Sequence, residues 1–294
     1  EGTSFLLWSP MAQEGFFNFY RKGEDKEAYL KVAMERNEKG VWSWRTKEEL
    51  HGIYYDFVLK IEGETVRSAD PYAKACGVNG RRSMAVNLKR TNPDGWEEDK
   101  APKKPAENII YELHVKEFSW DESGGFPGEY RGKFKAFTCE NTTLYQDGIH
   151  ATGMEYLKDL GITHVQLMPA YDYGSVDEAG DKDAFNWGYD PVQYFALEGS
   201  YGLDPTNAYS RMMEFAHLVE SCHKAGIRVN LDVVFNHVFV VNSNALQACV
   251  PYYYFQMNEE GELSNGTFCG NDFDSTRTMG RMLIVQACRF LCET

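Results

Sequence analysis

The stretch at residues 226–237, GIRVNLDVVFNH, restricts what this chain can become more than any other. Val229, Leu231 and Val233 alternate with Asn230, Asp232 and Val234. That is the pattern of a short, largely buried strand with polar side chains collecting at its C-terminal end. Gly226 ends a helix just before it, so helix, tight turn and strand form one half of a βαβ unit. Parallel α/β folds place their chemistry at the carboxyl ends of the strands. Asp232, Asn236 and His237 stand on or just beyond such an end. A plainer reading stands beside it: Asp and Asn build the turn, and the His is held by hydrogen bonds.

The rest of the chain narrows the partners. A length of 294 residues suggests about two domains, and the net charge of −14 argues against nucleic-acid or anionic-membrane surfaces, which attract Lys and Arg. No apolar run has the length that spans a bilayer. Aromatic residues make up 14% of the chain, which permits stacking on sugar faces but equally fills cores. The seven cysteines are scattered, with no CxxC pair and no zinc set. Buried free thiols in a reducing compartment, hence a cytoplasmic location, are the expectation. The absence of an initial methionine or signal-like segment reads as a trimmed piece and leaves export open.

Residues 1–95 read as all-β: strands around Phe5 and Leu7, around Phe16, Phe17 and Phe19, and over 54–61, with Gly and Asn turns between them. That spacing predicts a β-sandwich. Trp42 and Trp44 would share a strand face, as a sugar platform or as packing. Residues 96–107, with the charged, proline-bearing run that leads into them, have the composition of a linker. From residue 108 the grammar alternates. Strands are predicted over 109–115, 163–168 and 228–234, with a helix over 154–160. A second helix starts at Asp204 as N-cap with Pro205 in its first turn, and a last one carries Leu283, Ile284, Ala287, Cys288 and Leu291 on one side. Long loops follow the first two strands; that over 170–203 is expected to have no regular structure of its own. Three parallel strands do not close a barrel, so the sheet is either completed by polypeptide outside this sequence or left unusually open.

The strand ends gather Tyr111, Glu112 and His114, then Asn186, Trp187, Tyr189 and Asp190, then Asp232, Asn236 and His237. Flat rings beside amide, carboxylate and imidazole groups suit a neutral polyhydroxylated ligand. Against this, Trp187 and Tyr189 could simply pack a loop onto the rim.

NWGYDP at 186–191, EGSYGLDP at 198–205 and DVVFNH at 232–237 resemble the α-amylase superfamily, glycoside hydrolase family 13, and most closely its type I pullulanases, which debranch α-1,6 linkages. IIYELHVKEFS at 109–119 is similar to their first barrel strand. PYYYF at 251–255 and NGTFCGNDFDSTRTMGRMLI at 265–284 are similar to the third-strand loop and the helix after it. LWSP at 7–10, GVW at 40–42, GIYYDF at 52–57 and DPYAKACGVNGRRSM at 70–84 resemble the family 48 carbohydrate-binding module that precedes such barrels. The resemblance therefore implies a β-sandwich module over 1–95, a linker over 96–107 and, over 108–294, an incomplete (β/α)8 TIM barrel of about three βα units.

By the same resemblance, Tyr189 stacks on the sugar at the cleavage subsite, His237 hydrogen-bonds that sugar, and Asp232 and Asn236 shape the strand end. Phe235 stands where many relatives carry Tyr. Asn186, Trp187 and Asp190 complete the substrate-binding set. The family is retaining, with an Asp nucleophile after strand four, an acid/base Glu after strand five and a stabilising Asp after strand seven. No FRFD-like motif is present, so the catalytic carboxylates are expected outside this chain, which would be inactive alone. The implied partners are α-glucans (pullulan, starch, glycogen) and the missing C-terminal part of the barrel. An isoamylase- or branching-enzyme-like fragment and a non-catalytic α-glucan-binding protein are the alternatives. No cofactor is required; calcium is compatible with the acidic loops, without assignable ligands.

Overall fold

Alternating aromatic side chains organise the N-terminal strands. The computed structural model describes residues 2–104 and 106–293. Its first strands are β1 (Thr3–Trp8), β2 (Ala12–Tyr20), β3 (Leu30–Ala33), β4 (Glu35–Arg36), β5 (Val41–Thr46), β6 (Tyr54–Ile61), β7 (Glu64–Ser68) and β8 (Ser83–Met84). One antiparallel sheet runs β1-β5-β4; the other runs β3-β2-β6-β7, with β8 paired to β6. The two-residue side-chain period turns Phe5 and Leu7 of β1 to the same side as Trp44 and Trp42 of β5, their register partners. Phe17 and Phe19 of β2 likewise lie beside Phe57 and Tyr55 of β6. The two aromatic sets meet: Phe5 lies 4.8 Å from both Phe17 and Tyr55, and Trp44 lies 5.2 Å from Phe19.

Trp42 is buried and donates its indole N–H to the Ser9 carbonyl at 2.9 Å, so it is a core residue rather than part of a sugar platform. Gly15 makes room for it, since a Cβ there would lie 2.9 Å from the indole ring. Trp44 packs on the same cluster.

Beyond residue 108 the elements are β9 (Ile110–Leu113), α1 (Gly153–Asp159), β10 (His164–Leu167), β11 (Tyr171–Tyr173), β12 (Pro191–Leu197), α2 (Ala208–Lys224), β13 (Arg228–Leu231), α3 (Ala245–Cys249) and α4 (Thr278–Glu293). β9, β10 and β13 form a parallel sheet in that spatial order, with Val165 opposite both Tyr111 and Val229. Leu157 of α1 and Leu218 and Cys222 of α2 pack with Val165 and Leu167 in one apolar cluster. No helix among the described residues is long and apolar enough to cross a membrane.

Two expectations need correction. The segment 170–203 has regular structure: β11 and β12 pair as an antiparallel hairpin, Tyr171 opposite Leu197 and Tyr173 opposite Pro191. Its aromatic side chains pay for the ordering by burial, Tyr171, Tyr173, Tyr194 and Phe195 all lying inside. Helix α2 starts at Ala208, not Pro205, because Asn207 accepts the Tyr209 and Ser210 backbone N–H groups at 3.2 and 3.1 Å. Asp204 instead closes a local turn on the Thr206 N–H at 2.9 Å.

The two halves share an apolar interior. Phe17, Phe57 and Leu59 belong to the same cluster as Phe195 of β12, Leu246 and Cys249 of α3 and Leu283 and Ala287 of α4. Polar pins cross the same seam: the Ser9 hydroxyl donates to the Cys249 carbonyl at 2.6 Å, and the Tyr54 hydroxyl to the Thr206 carbonyl at 2.9 Å. The proline-bearing segment also docks, with Asp99 2.6 Å from the His223 ring of α2. The parallel sheet, by contrast, is open at β9, where Ile110 is 53% exposed.

Candidate functional site

The site is built where β10 and β13 end. The Asp232 N–H donates to the Leu167 carbonyl at 2.9 Å, carrying the ladder one residue past β13. The Asp232 Oδ2 then accepts the Tyr189 hydroxyl at 2.8 Å. The loop before β12 delivers Tyr189 by a turn that needs Gly188: its φ is +88°, and a Cβ would sit 3.0 Å from Pro169. Asn186 closes that turn, its Oδ1 accepting the Gly188 N–H at 2.7 Å. Its side chain is thereby committed to the loop, and its carbonyl is held by His114 Nε2 at 2.9 Å.

His237 is buried, with Nδ1 2.7 Å from Asn236 Oδ1, so Nδ1 carries the proton and Nε2 is the edge left for a ligand. The Tyr194 hydroxyl of β12 donates to the His237 carbonyl at 3.0 Å. Behind this loop, Asn271 exchanges hydrogen bonds with the Val238 backbone at 3.0 and 2.8 Å, and the Phe273 N–H donates to the Asn236 carbonyl at 2.9 Å. Asp272 fixes that supporting loop by accepting Ser264, Gly266 and Thr267, and the Ser264 hydroxyl chiefly holds its carboxyl well below the usual range.

The sequence-predicted residues therefore divide. Tyr189 and Asp232 touch. Asp190 and His237 lie within electrostatic reach of each other, and Asp190 also takes the Ser175 hydroxyl. Trp187 is 60% exposed on the same loop, free of the core. Asn236 is exposed and orients His237. Glu112 pairs with Gln166 at 2.9 Å and lies near Tyr189, whereas Tyr111 takes the opposite parity on β9. Burial and the bond to Asp232 push the Tyr189 phenol up to about 12, so it stays a neutral donor. Burial raises the Asp190 carboxyl, and one of its oxygens is enclosed without a partner among the described residues. Rings, amides, a neutral phenol and an imidazole edge can grip hydroxyl groups.

Two cavities are lined by neighbouring segments of these loops. One, of about 480 Å³, is bordered by Phe235, Asn236 and Asp272; the other, of about 700 Å³, by His114, Trp120, Lys133 and Phe185. Trp120, which carries the Lys116 ammonium 4.1 Å from its ring centre, was not singled out in the sequence. The aromatic richness of the 116–137 loop was the available signal.

Residues 141–249 match the family model "Alpha amylase, catalytic domain". Over 292 residues, 99% of its length, the chain is 36% identical to a pullulanase of Bacillus subtilis strain 168, covering 39% of that relative. The chain is homologous to pullulanases of the α-amylase family. It is also 31% identical to the chloroplastic pullulanase 1 of Arabidopsis thaliana, over 97% of this chain and 33% of that protein. The crystal structure of Paenibacillus barengoltzii pullulanase with maltohexaose and α-cyclodextrin superposes with a TM-score of 0.95 at 37% identity, covering all of this chain and 45% of that one. This pullulanase homologue thus spans less than half the length of the relatives it matches.

In this pullulanase homologue the support beneath the loop is itself titratable. His114 Nδ1 accepts the Lys116 N–H at 3.1 Å, so Nε2 carries the hydrogen that reaches the Asn186 carbonyl, with the Tyr201 hydroxyl also at 2.9 Å. Burial lowers its pKa from the ordinary value near about 6.5, with the Asn186 bond and Glu117 opposing. The unfolded chain then binds a proton here before the folded one does. Stability from this group is complete above about pH 6.5 and falls as pH drops toward the lowered value. Urea midpoints at pH 7 and pH 5.5 should differ less in His114→Gln than in the parent; an unchanged difference would remove His114 from the account.

Proposed function

We propose that this chain is the substrate-gripping portion of a pullulanase-type glycoside hydrolase that cleaves α-1,6-glucosidic bonds in α-glucans with retention. On this reading residues 1–95 are a family 48-like β-sandwich module, 96–107 a linker, and 108–294 the opening three βα units of a (β/α)8 barrel. The open edge at β9 is covered by later strands of the same barrel, which also bring the nucleophile and the acid/base. The seven cysteines, all free, support a reducing, cytoplasmic setting.

The observation that carries the proposal is the Tyr189–Asp232 hydrogen bond at the carboxyl ends of parallel strands, with His237 presented from the same strand end. Tyr189 stacks on a glucose unit, Asp232 fixes the phenol, and His237 Nε2 meets a hydroxyl. Trp187 and Asp190 extend the grip. The solved relative holds maltohexaose, which supports an α-glucan ligand.

In the full-length protein, Tyr189→Ala should raise KM for pullulan about tenfold, the scale of one lost stacking contact. Tyr189→Phe, keeping the ring, should cost less. Equal KM in parent and Tyr189→Ala would remove Tyr189 from the site.

A further inference from the structure

The larger of the two cavities, about 700 Å³, is walled by the loop after β9 and by the segment just before Tyr189. Neither Tyr189 nor Asp232 borders it. Two large rings stay exposed on its walls, Trp120 at 38% and Phe185 at 45%.

Both rings are held in place. Phe118 and Phe137 stack at 4.0 Å and fasten the first loop, and the buried Ser119 hydroxyl accepts the Gly132 N–H at 2.8 Å. Gly132 has φ +73°, and a Cβ there would lie 3.0 Å from the Trp120 indole and 3.1 Å from the Lys116 stem. Indole, glycine and lysine thus lie against one another, with the ammonium 4.1 Å from the ring centre. The Phe185 ring packs 4.7 Å from His114, itself anchored to Tyr201 and to the Asn186 carbonyl. Lys116 also joins the walls, donating to the Lys182 and Ala184 carbonyls at 2.5 and 2.7 Å. A cavity whose rings are already oriented binds without first ordering them.

Charged groups in the walls are engaged with the protein. Lys133 donates to the Ser200 carbonyl at 2.6 Å, and Arg131 pairs with Glu122 at 2.9 Å. Glu178 accepts the Gly199 and Asn79 N–H groups at 2.7 and 2.8 Å, and Asp181 accepts the Asp183 N–H at 2.9 Å. Carboxylates outnumber the basic groups in the lining, which disfavours phosphates and other anions. A ligand is offered ring faces, together with carbonyl, carboxylate and ammonium groups that keep spare hydrogen-bonding capacity. That combination suits a neutral, polyhydroxylated molecule with apolar C–H faces. The volume lies within the range of about 300–1,000 Å³ in which pockets enclose small ligands.

We propose that this cavity is a second glucan-binding site, in which Trp120 and Phe185 take the ring faces of a short α-1,4-linked chain. The choice of glucan rests on the reading of the protein as acting on α-glucans; the site itself rests on the cavity and its rings. Phe185 stands four residues before Tyr189 on one loop, so a glucan long enough to reach both sites gains from each.

The test titrates the full-length protein with maltotriose in a calorimeter. Trp120→Ala should lack one binding event of the parent or show it weakened about tenfold, and Phe185→Ala should weaken the same event. Tyr189→Ala should remove a different event, so the double variant with Trp120→Ala loses both. An event lost with Trp120→Ala while Tyr189→Ala changes nothing would leave this site standing and overturn the role given to Tyr189. Parent crystals whose packing leaves the cavity open, soaked in maltotriose, give a readout needing no variant: sugar density against Trp120 and Phe185. Absence of that density, or identical titrations of parent, Trp120→Ala and Phe185→Ala, would overturn the second site.

Discussion

Arg211→Met should destabilise the protein by about 3–5 kcal/mol, the range for removing one partner of a buried charge group. Methionine keeps much of the aliphatic volume, so the loss isolates the guanidinium. Arg211 is 1% exposed, and its removal strands the Leu197 and Pro205 carbonyls as well as the charge on Glu178. The effect is expected because the two carbonyls lose their donors. A urea-unfolding shift worth less than about 1 kcal/mol would mean that the seam relaxes or admits water.

Phe57→Ala should cost a similar amount, about 3–5 kcal/mol, by opening a cavity where both sheets meet. Phe57 is fully buried, its ring 4.9 Å from Phe17 and 5.9 Å from Tyr55. Its neighbours are themselves rings held by strand pairing, which limits how far the site can collapse. The same apolar cluster reaches Phe195 and Leu283, so denaturant midpoints read from the N-terminal strands and from α4 should move together. Movement of the first alone would show that the halves unfold separately.

Much of the architecture was legible because it is written in short-range periodicity. The strand expected over 54–61 is β6, and its odd-numbered aromatics face inward as alternation requires. The apolar side foreseen for the last helix contains Leu283 and Ala287, both fully buried in α4. The placement of the candidate residues was partly legible for the same reason: Asp232 and His237 follow a strand, β13, whose end can be read locally. Helix α2 shows the limit, since Asp204 and Asn207 are both capping residues three positions apart and only the folded turn assigns them their separate partners.

What the sequence determined by itself, then, was the alternation of strand and helix, the face each element buries and the polar endings of the parallel strands, all set by neighbours within a few positions. Tertiary structure decided the rest. Pairing over some twenty residues turned a loop into the β11–β12 hairpin; packing sent Trp42 inward instead of toward a ligand. Chain crossing brought Asp172, Glu178, Glu198 and Arg211 together around the Gly80 turn. Those four positions carry no shared spacing, because a contact between remote segments costs loop entropy that only the completed core repays.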